Sequence, residues 1–419
     1  VGSGIFMNPS VVAARAHTTA LILIAWIFGG LVALAGACIF AELAWRRPDS
    51  GGLYGYMRDA YHPVVAFMYG WTALLVSQSG GMAAAAITFA VYFQPLTGLH
   101  VTPWMSAVAA IAILSAVNCA GVREGGSTQN VLMVLKAVVI VAVIVAGFVG
   151  PHGSAAHAAV ATNLHVGGMA LFAIVGAALI PVLYSYDGWQ TAPFIDGELK
   201  DPKRSLPRAL IWGVVLVVFL YLAITIAALR MLGPAGLAAT ATPAADMMRL
   251  LVGPVGERIV AAGIALSTLG FLSNQILTSP RIYYAMAKDG LFFKQLAWLH
   301  PRTHAPIAAI AIQGVVAIVI ALSGRYDQIL NYVTAMDFVF FGLAGFALVV
   351  FRRRSPETGA GGVRMPGHPW STMAFVLVSA AVVVNTYVNF PADTLVGLLI
   401  LFSGVPVYAI WRRRARVRA

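Results

Sequence analysis

Three ionisable side chains lie deep inside otherwise apolar stretches: Lys136 in QNVLMVLKAVV, Asp187 in PVLYSYDGWQ, and Asp337 in the run that follows Ile329. A fourth, Glu42, closes such a stretch beside Arg46 and Arg47. Charge buried among apolar residues is costly unless it is paired, solvated or used, so each marks a place where an ion or a proton could be handled. Two interruptions accompany them. Gly2-Ser3-Gly4 heads the opening apolar run, and Pro181 and Gly188 flank YSYD in the later one. Backbone that leaves a helix bares N–H and C=O groups, which hydrocarbon tolerates only where they are buried in protein or line a cavity.

The elements that must position these residues are membrane helices. Hydrophobic residues make up 60% of the 419 positions and charged ones only 10%, far from the mix of a soluble domain. The apolar stretches are mostly about 20 residues long, enough to span a hydrocarbon core as helix, and they lack the alternation of barrel strands. Spans are expected near 21–43, 64–93, 103–120, 131–148, 169–194, 210–229, 259–286, 307–322, 329–351, 371–387 and 395–411, after a short opening segment that ends near Val12. The fold class is therefore an all-α polytopic membrane protein.

The net charge of +12 does not point to nucleic acid, because of where it is placed. If the opening segment exits to the outside, one set of loops collects Arg46, Arg47, Arg58, Arg123, Lys200, Lys203, Arg204, Arg208, Lys288, Lys294, Arg302, Arg352 to Arg354, Arg364 and the terminal RRRARVR. The other set holds Arg15, Arg230, Arg249, Arg258 and Arg325. This asymmetry orients a membrane protein with its C-terminus in the cytoplasm. Cys38 and Cys119 both fall inside expected spans, so neither a disulfide framework nor a disulfide-linked accessory subunit is expected.

The first interruption falls in span one and the second in span six. Paired broken helices at matching places in two halves mark the site of a transporter built from inverted repeats, which gives a five-plus-five division with two further spans. The division places repeat one at 1–150, repeat two at 168–351 and the extra spans at 370–411, all in one domain. Free N–H groups around Ser3, Gly4 and Ile5 would attract a carboxylate, with Gly2 and Gly4 allowing close approach. Carbonyls near Tyr184, Ser185 and Asp187 would attract an ammonium. A site with both ends suits an α-amino acid. Ser77, Gln78, Ser79 and Asn274 could line its side-chain pocket or simply bond helix to helix, and Asp337 is either a pocket wall or a partner to a Tyr or Ser. Glu42 reads as a surface ion pair, with a gate-closing pair as the alternative.

The motifs carrying these residues resemble the amino acid-polyamine-organocation superfamily, and within it the prokaryotic L-type amino acid transporter-like branch. They are GSGIF at 2–6, Glu42 with PDSGGLYGY at 48–56, YSYDGW at 184–189 with ELKDPKRSLPRA, TSPRIYYAMAKDG at 278–290, and FRRRSPETG leading to RMPGHP. The resemblance implies that the unwound segments, with Gly188, hold the substrate and that Tyr184 is a gating aromatic. It implies that the Lys136 ammonium lies between spans one, five and eight where relatives hold sodium, making transport sodium-independent; snorkelling to the surface is the alternative. It further implies a bacterial plasma membrane location and a half helix ahead of GSGIF. That half is missing here, as in a fragment or a late start site, and without it transport should be poor.

The resulting expectation is a secondary transporter that exchanges neutral amino acids without a cofactor. Proton symport, and transport of basic amino acids or polyamines, are the alternatives. An intramembrane enzyme is disfavoured: no His falls clearly inside a span, and HExxH and GxSxG are absent. A substrate sensor built on the same fold is a third class, with no signalling domain in the sequence to carry an output. His152, His157 and His165 match no metal-ligand spacing.

Overall fold

The computed structural model describes residues 2–48, 52–97, 102–121, 126–150, 168–191, 202–303, 305–323, 325–355 and 362–417. A single 3-10 turn, Gly4–Phe6, leads into α1 (Asn8–Ala16). The chain reverses at His17, whose φ of 61° is left-handed, and enters α2 (Thr19–Arg46). The Thr18 hydroxyl starts α2 by accepting the Leu21 N–H at 3.3 Å. A short helix, α3 (Leu53–Ala60), precedes α4 (Pro63–Thr72), a π-helical turn (Ala73–Ser77) and α5 (Gln78–Thr97). Next come α6 (Pro103–Cys119), α7 (Gly126–Val149), α8 (Gly168–Tyr186) and α9 (Pro202–Ala239), the last bent at Gly233. The order continues with α10 (Pro243–Val252), α11 (Pro254–Thr278), α12 (Pro280–Lys288), α13 (Ile307–Ser323), α14 (Tyr326–Arg354), α15 (Trp370–Asn389) and α16 (Pro391–Val417).

Local sequence accounts for many of these boundaries. Proline opens α4, α6, α10, α11 and α12, in the first turn, where its missing N–H is not needed. Gly253, with φ 82°, separates α10 from α11.

Among the described residues nine helical stretches are long and apolar enough to cross a membrane, and two shorter apolar helices, Pro103–Cys119 and Ile307–Leu322, accompany them. These helices occupy the eleven apolar stretches read from the sequence. α2 buries one face, packed along α9 and α8, while α11 lies along α5 and α14 along α15. Trp26, Phe40, Tyr221 and Phe341 are buried there. Phe172, Trp212, Phe219 and Val138 stay exposed on the perimeter, an apolar outside that suits lipid rather than water. His152, His157 and His165, like Arg123 and Lys200, lie outside the described residues.

Glu42 departs from the surface pair expected of it. Its side chain is 0% exposed. It accepts Arg46 Nε at 2.8 Å, Arg352 Nε and Nη2 at 2.8 and 2.6 Å, and the Met365 N–H at 2.7 Å. Two of its three partners come from more than 300 positions downstream, so only the fold brings them together. Arg47 takes no part and lies over the Phe351 ring, 5.1 Å from its centroid.

Candidate functional site

One cavity of about 650 Å³ lies between the two interruptions, the π-helical turn, α7, α9, α11 and α14. Of the residues singled out from the sequence, Gly2, Ser3, Gly4, Ser77, Gln78, Lys136, Tyr184, Ser185, Asp187, Gly188, Asn274 and Asp337 are on its wall. Ile5 is not; its side chain is buried in the core.

The first interruption is built by close approach. The 3-10 turn at Gly4–Phe6 donates Phe6 N to Ser3 O and Met7 N to Gly4 O, each at 3.1 Å. The N–H groups of Ser3, Gly4 and Ile5 precede that ladder and have no partner within it. A Cβ on Gly4 would come within 3.0 Å of Asn8 Nδ2 and 3.1 Å of Ser185 Oγ, whereas one on Gly2 would meet only the Phe271 ring at 3.7 Å. Gly4 therefore lets α1 and α8 touch; Gly2 is the glycine that leaves room.

The second interruption starts with Pro181 and is completed by Gly188. α8 runs to Tyr186, and the Asp187 N–H still bonds Leu183 O at 3.0 Å. Gly188 then takes φ 120°, a conformation that side chains resist. Its N–H is held at 2.8 Å by both Asp187 Oδ1 and Gln190 Oε1, and its carbonyl by the Thr191 hydroxyl at 2.7 Å. The helix end leaves the Ser185 and Tyr186 carbonyls without an intrahelical donor. The Ser185 hydroxyl is already engaged, donating to Pro181 O at 2.8 Å and accepting from Asn8 Nδ2 at 2.6 Å. Beyond the break, Trp189 packs edge-on against Phe40, with ring centroids 4.7 Å apart, in space that Gly36 leaves open.

The acidic groups share the cavity: Asp187 and Asp337 are both on its wall, with Ser77, the last residue of the π-helical turn, beside them on the same wall, and the two acids lie within electrostatic reach of each other. Tyr184 and Tyr69 are both within electrostatic reach of the two acids. The π-helical turn, a feature often found at functional sites, brings Ser77 and Gln78 to the wall together; Gln78 Oε1 accepts from the Ser279 hydroxyl at 2.8 Å. The Lys136 ammonium lies 5.4 Å from the centroid of Phe271, on α11. The same ring is what a Cβ on Gly2 would meet.

Sequence reasoning missed Asn8, Gln190 and Trp189. Asn8 is fully buried and joins three elements, donating to Pro181 O at 2.9 Å and to Ser185 while accepting the Tyr326 hydroxyl at 3.0 Å. Its signal was in plain view, an amide inside the opening apolar run. Gln190 follows the second break directly and could have been read as its cap.

A family model described as amino acid permease matches residues 1–408. The serine/threonine exchanger SteT of Bacillus subtilis is 30% identical over 99% of this chain and 94% of its own length. The b(0,+)-type amino acid transporter 1 of Mus musculus is 28% identical over 98% of this chain and 84% of its own. The large neutral amino acids transporter small subunit 2 of Homo sapiens is 28% identical over 99% of this chain and 79% of its own. With the apolar helices and the interior cavity, these likenesses place the chain in the amino acid permease family of the amino acid-polyamine-organocation superfamily: an integral membrane transporter of amino acids, and not an enzyme.

Proposed function

We propose that the chain exchanges neutral L-amino acids across a bacterial plasma membrane by alternating access, without sodium. The observation that carries this reading is the meeting of both interruptions on one cavity wall. The substrate carboxylate takes the N–H groups at Ser3 and Gly4, and the ammonium takes the carbonyl end of α8 at Ser185 and Tyr186. Tyr184 closes over the substrate, while Ser77, Gln78, Asn274 and Asp337 face its side chain. Lys136, held over Phe271, supplies the positive charge that would otherwise have to be a bound cation. The two interrupted helices belong to inverted repeats of five spans, and the arginine-rich face, with the C-terminus, is cytoplasmic.

Uptake of labelled neutral amino acids into liposomes, with and without unlabelled amino acid inside, tests the reading. Uptake that depends on internal substrate supports exchange. Uptake into empty vesicles that follows an imposed proton gradient replaces exchange with symport. The presence of two acids, Asp187 and Asp337, on the cavity wall favours one second reading, a substrate whose side chain is itself cationic. Competition by lysine or arginine that exceeds competition by serine or leucine would select it.

A further inference from the structure

Pro181 has no N–H, so the carbonyl four residues earlier in α8, at Ala177, loses the donor an ordinary helix would give it. That carbonyl is not left bare. Arg15 Nη1, from α1, donates to Ala177 O at 3.0 Å. One α-helical stretch back along α1, Asn8 donates to Pro181 O at 2.9 Å and Ser185 Oγ at 2.6 Å. The two helices run antiparallel, and α1 grips α8 on both sides of its proline.

The same guanidinium also reaches a third and a fourth element. Its Nη2 donates to Asn331 Oδ1 at 3.3 Å and lies 3.8 Å from Asp327, both in the first turns of α14. Its face covers the Phe390 ring at 4.7 Å from the centroid. Asn331 in turn donates to Asp393 at the start of α16, at 2.9 Å.

We propose that Arg15 is a positioning residue of the transport cycle, with two separable tasks: it caps the carbonyl that Pro181 frees, and it latches the α1–α8 pair to the start of α14. The two tasks differ in tightness. The cap is a short bond made by a side chain only 13% exposed, whereas Asp327 is 63% exposed and its pair is long. The cap persists while the latch opens and closes the face opposite the arginine-rich one. The latch rests on the transport reading above; the cap does not.

The test uses the full chain with Cys38 and Cys119 replaced by Ala and a reporter cysteine at Thr88, which is fully buried and within reach of Tyr326 beside Asn8. Labelling by a membrane-impermeant maleimide should rise about tenfold in Arg15→Met, the ratio that one charge-assisted hydrogen bond supports. Asn331→Ala should raise labelling too with the cap intact; because it also severs the bond to Asp393, the melting temperature is compared only among the Arg15 and Pro181 variants. Pro181→Ala restores the missing N–H, so Arg15→Met should lower the melting temperature far less in that background. Labelling unchanged in both Arg15→Met and Asn331→Ala overturns the latch. An equal loss of melting temperature with and without Pro181→Ala overturns the cap. Should Arg15→Met fail to fold, Arg15→Lys and Asn331→Ala carry the labelling test. Uptake into empty vesicles that follows a proton gradient would replace the exchange reading instead, and would leave the melting comparison as a decisive test of the cap.

Discussion

The Glu42 cluster and the Arg15 cluster sit at opposite ends of one helix and hold charge in different ways. α14 begins at the Arg15 cluster with Asp327 and Asn331 and ends at the Glu42 cluster with Arg352, roughly 38 Å away at the rise of an α-helix. Glu42 is wholly buried, and each of its four contacts is 2.8 Å or shorter. Arg15 divides one guanidinium among several partners at 3.0 to 3.8 Å, one of them facing water. A rod tied tightly at one end and loosely at the other turns about the tight end. The lesson is that burial and geometry, not the number of ion pairs, decide which end is fixed.

The largest expected effect is at Glu42. Glu42→Gln removes the charge that Arg46 and Arg352 share and should destabilise the protein by about 3–5 kcal/mol, as loss of one partner of a buried pair does. A melting temperature in detergent close to that of the parent would break the comparison. Arg15→Met should cost less, about 1.5–3 kcal/mol for its charged hydrogen bond to Ala177. In the unsubstituted protein, raising the salt should weaken the Arg15–Asp327 contact without touching Glu42, since only the former is open to screening. Smaller still is Asp289→Asn. Asp289 binds Arg58 at 2.7 Å and Tyr54 at 2.8 Å on the arginine-rich face, but both members of the ion pair are about a third exposed, and it should be worth less than about 1 kcal/mol. A loss as large as that of Glu42→Gln would show that contact number matters more than burial.

The smallest effect is a pH dependence. Burial, and then the Arg352 guanidinium, hold His368 below the usual histidine range. The unfolded chain therefore takes up this proton first as the pH falls. Stability is lost between the ordinary histidine value and the lower folded one, and is regained as the pH rises. His368→Gln should flatten that limb of a melting-temperature profile; an unchanged profile would detach His368 from the Glu42 cluster.

Much of the architecture was legible because it is written in averages. Eleven apolar stretches are a property of windows of about 20 residues, and the chain gives each one a helix. The residues of the interruptions were legible for a related reason: glycine, proline and charge are conspicuous against hydrocarbon. What was not legible depends on partners far away in sequence. Arg15 was counted only as one of a few charges on its face, since nothing local says that Ala177, 162 positions on, lacks a donor. Glu42 looked like an exposed pair because Arg46 is the only partner within one helical turn. Gly4 was legible as a place of close approach, but not that Ser185, far along the chain, is one of the groups beside it.

The π-helical turn at Ala73–Ser77 has a consequence for how this wall can change over generations. Such a turn holds one more residue than an α-helical turn, so the helix on either side keeps its own register. Rewinding the turn as regular α-helix with every residue kept would swing everything beyond it by about 100°, carrying Gln78 and Gly81 away from the cavity. The winding of this one turn is thus a dial that aims half of a membrane helix. Few point substitutions could re-aim so many side chains at once.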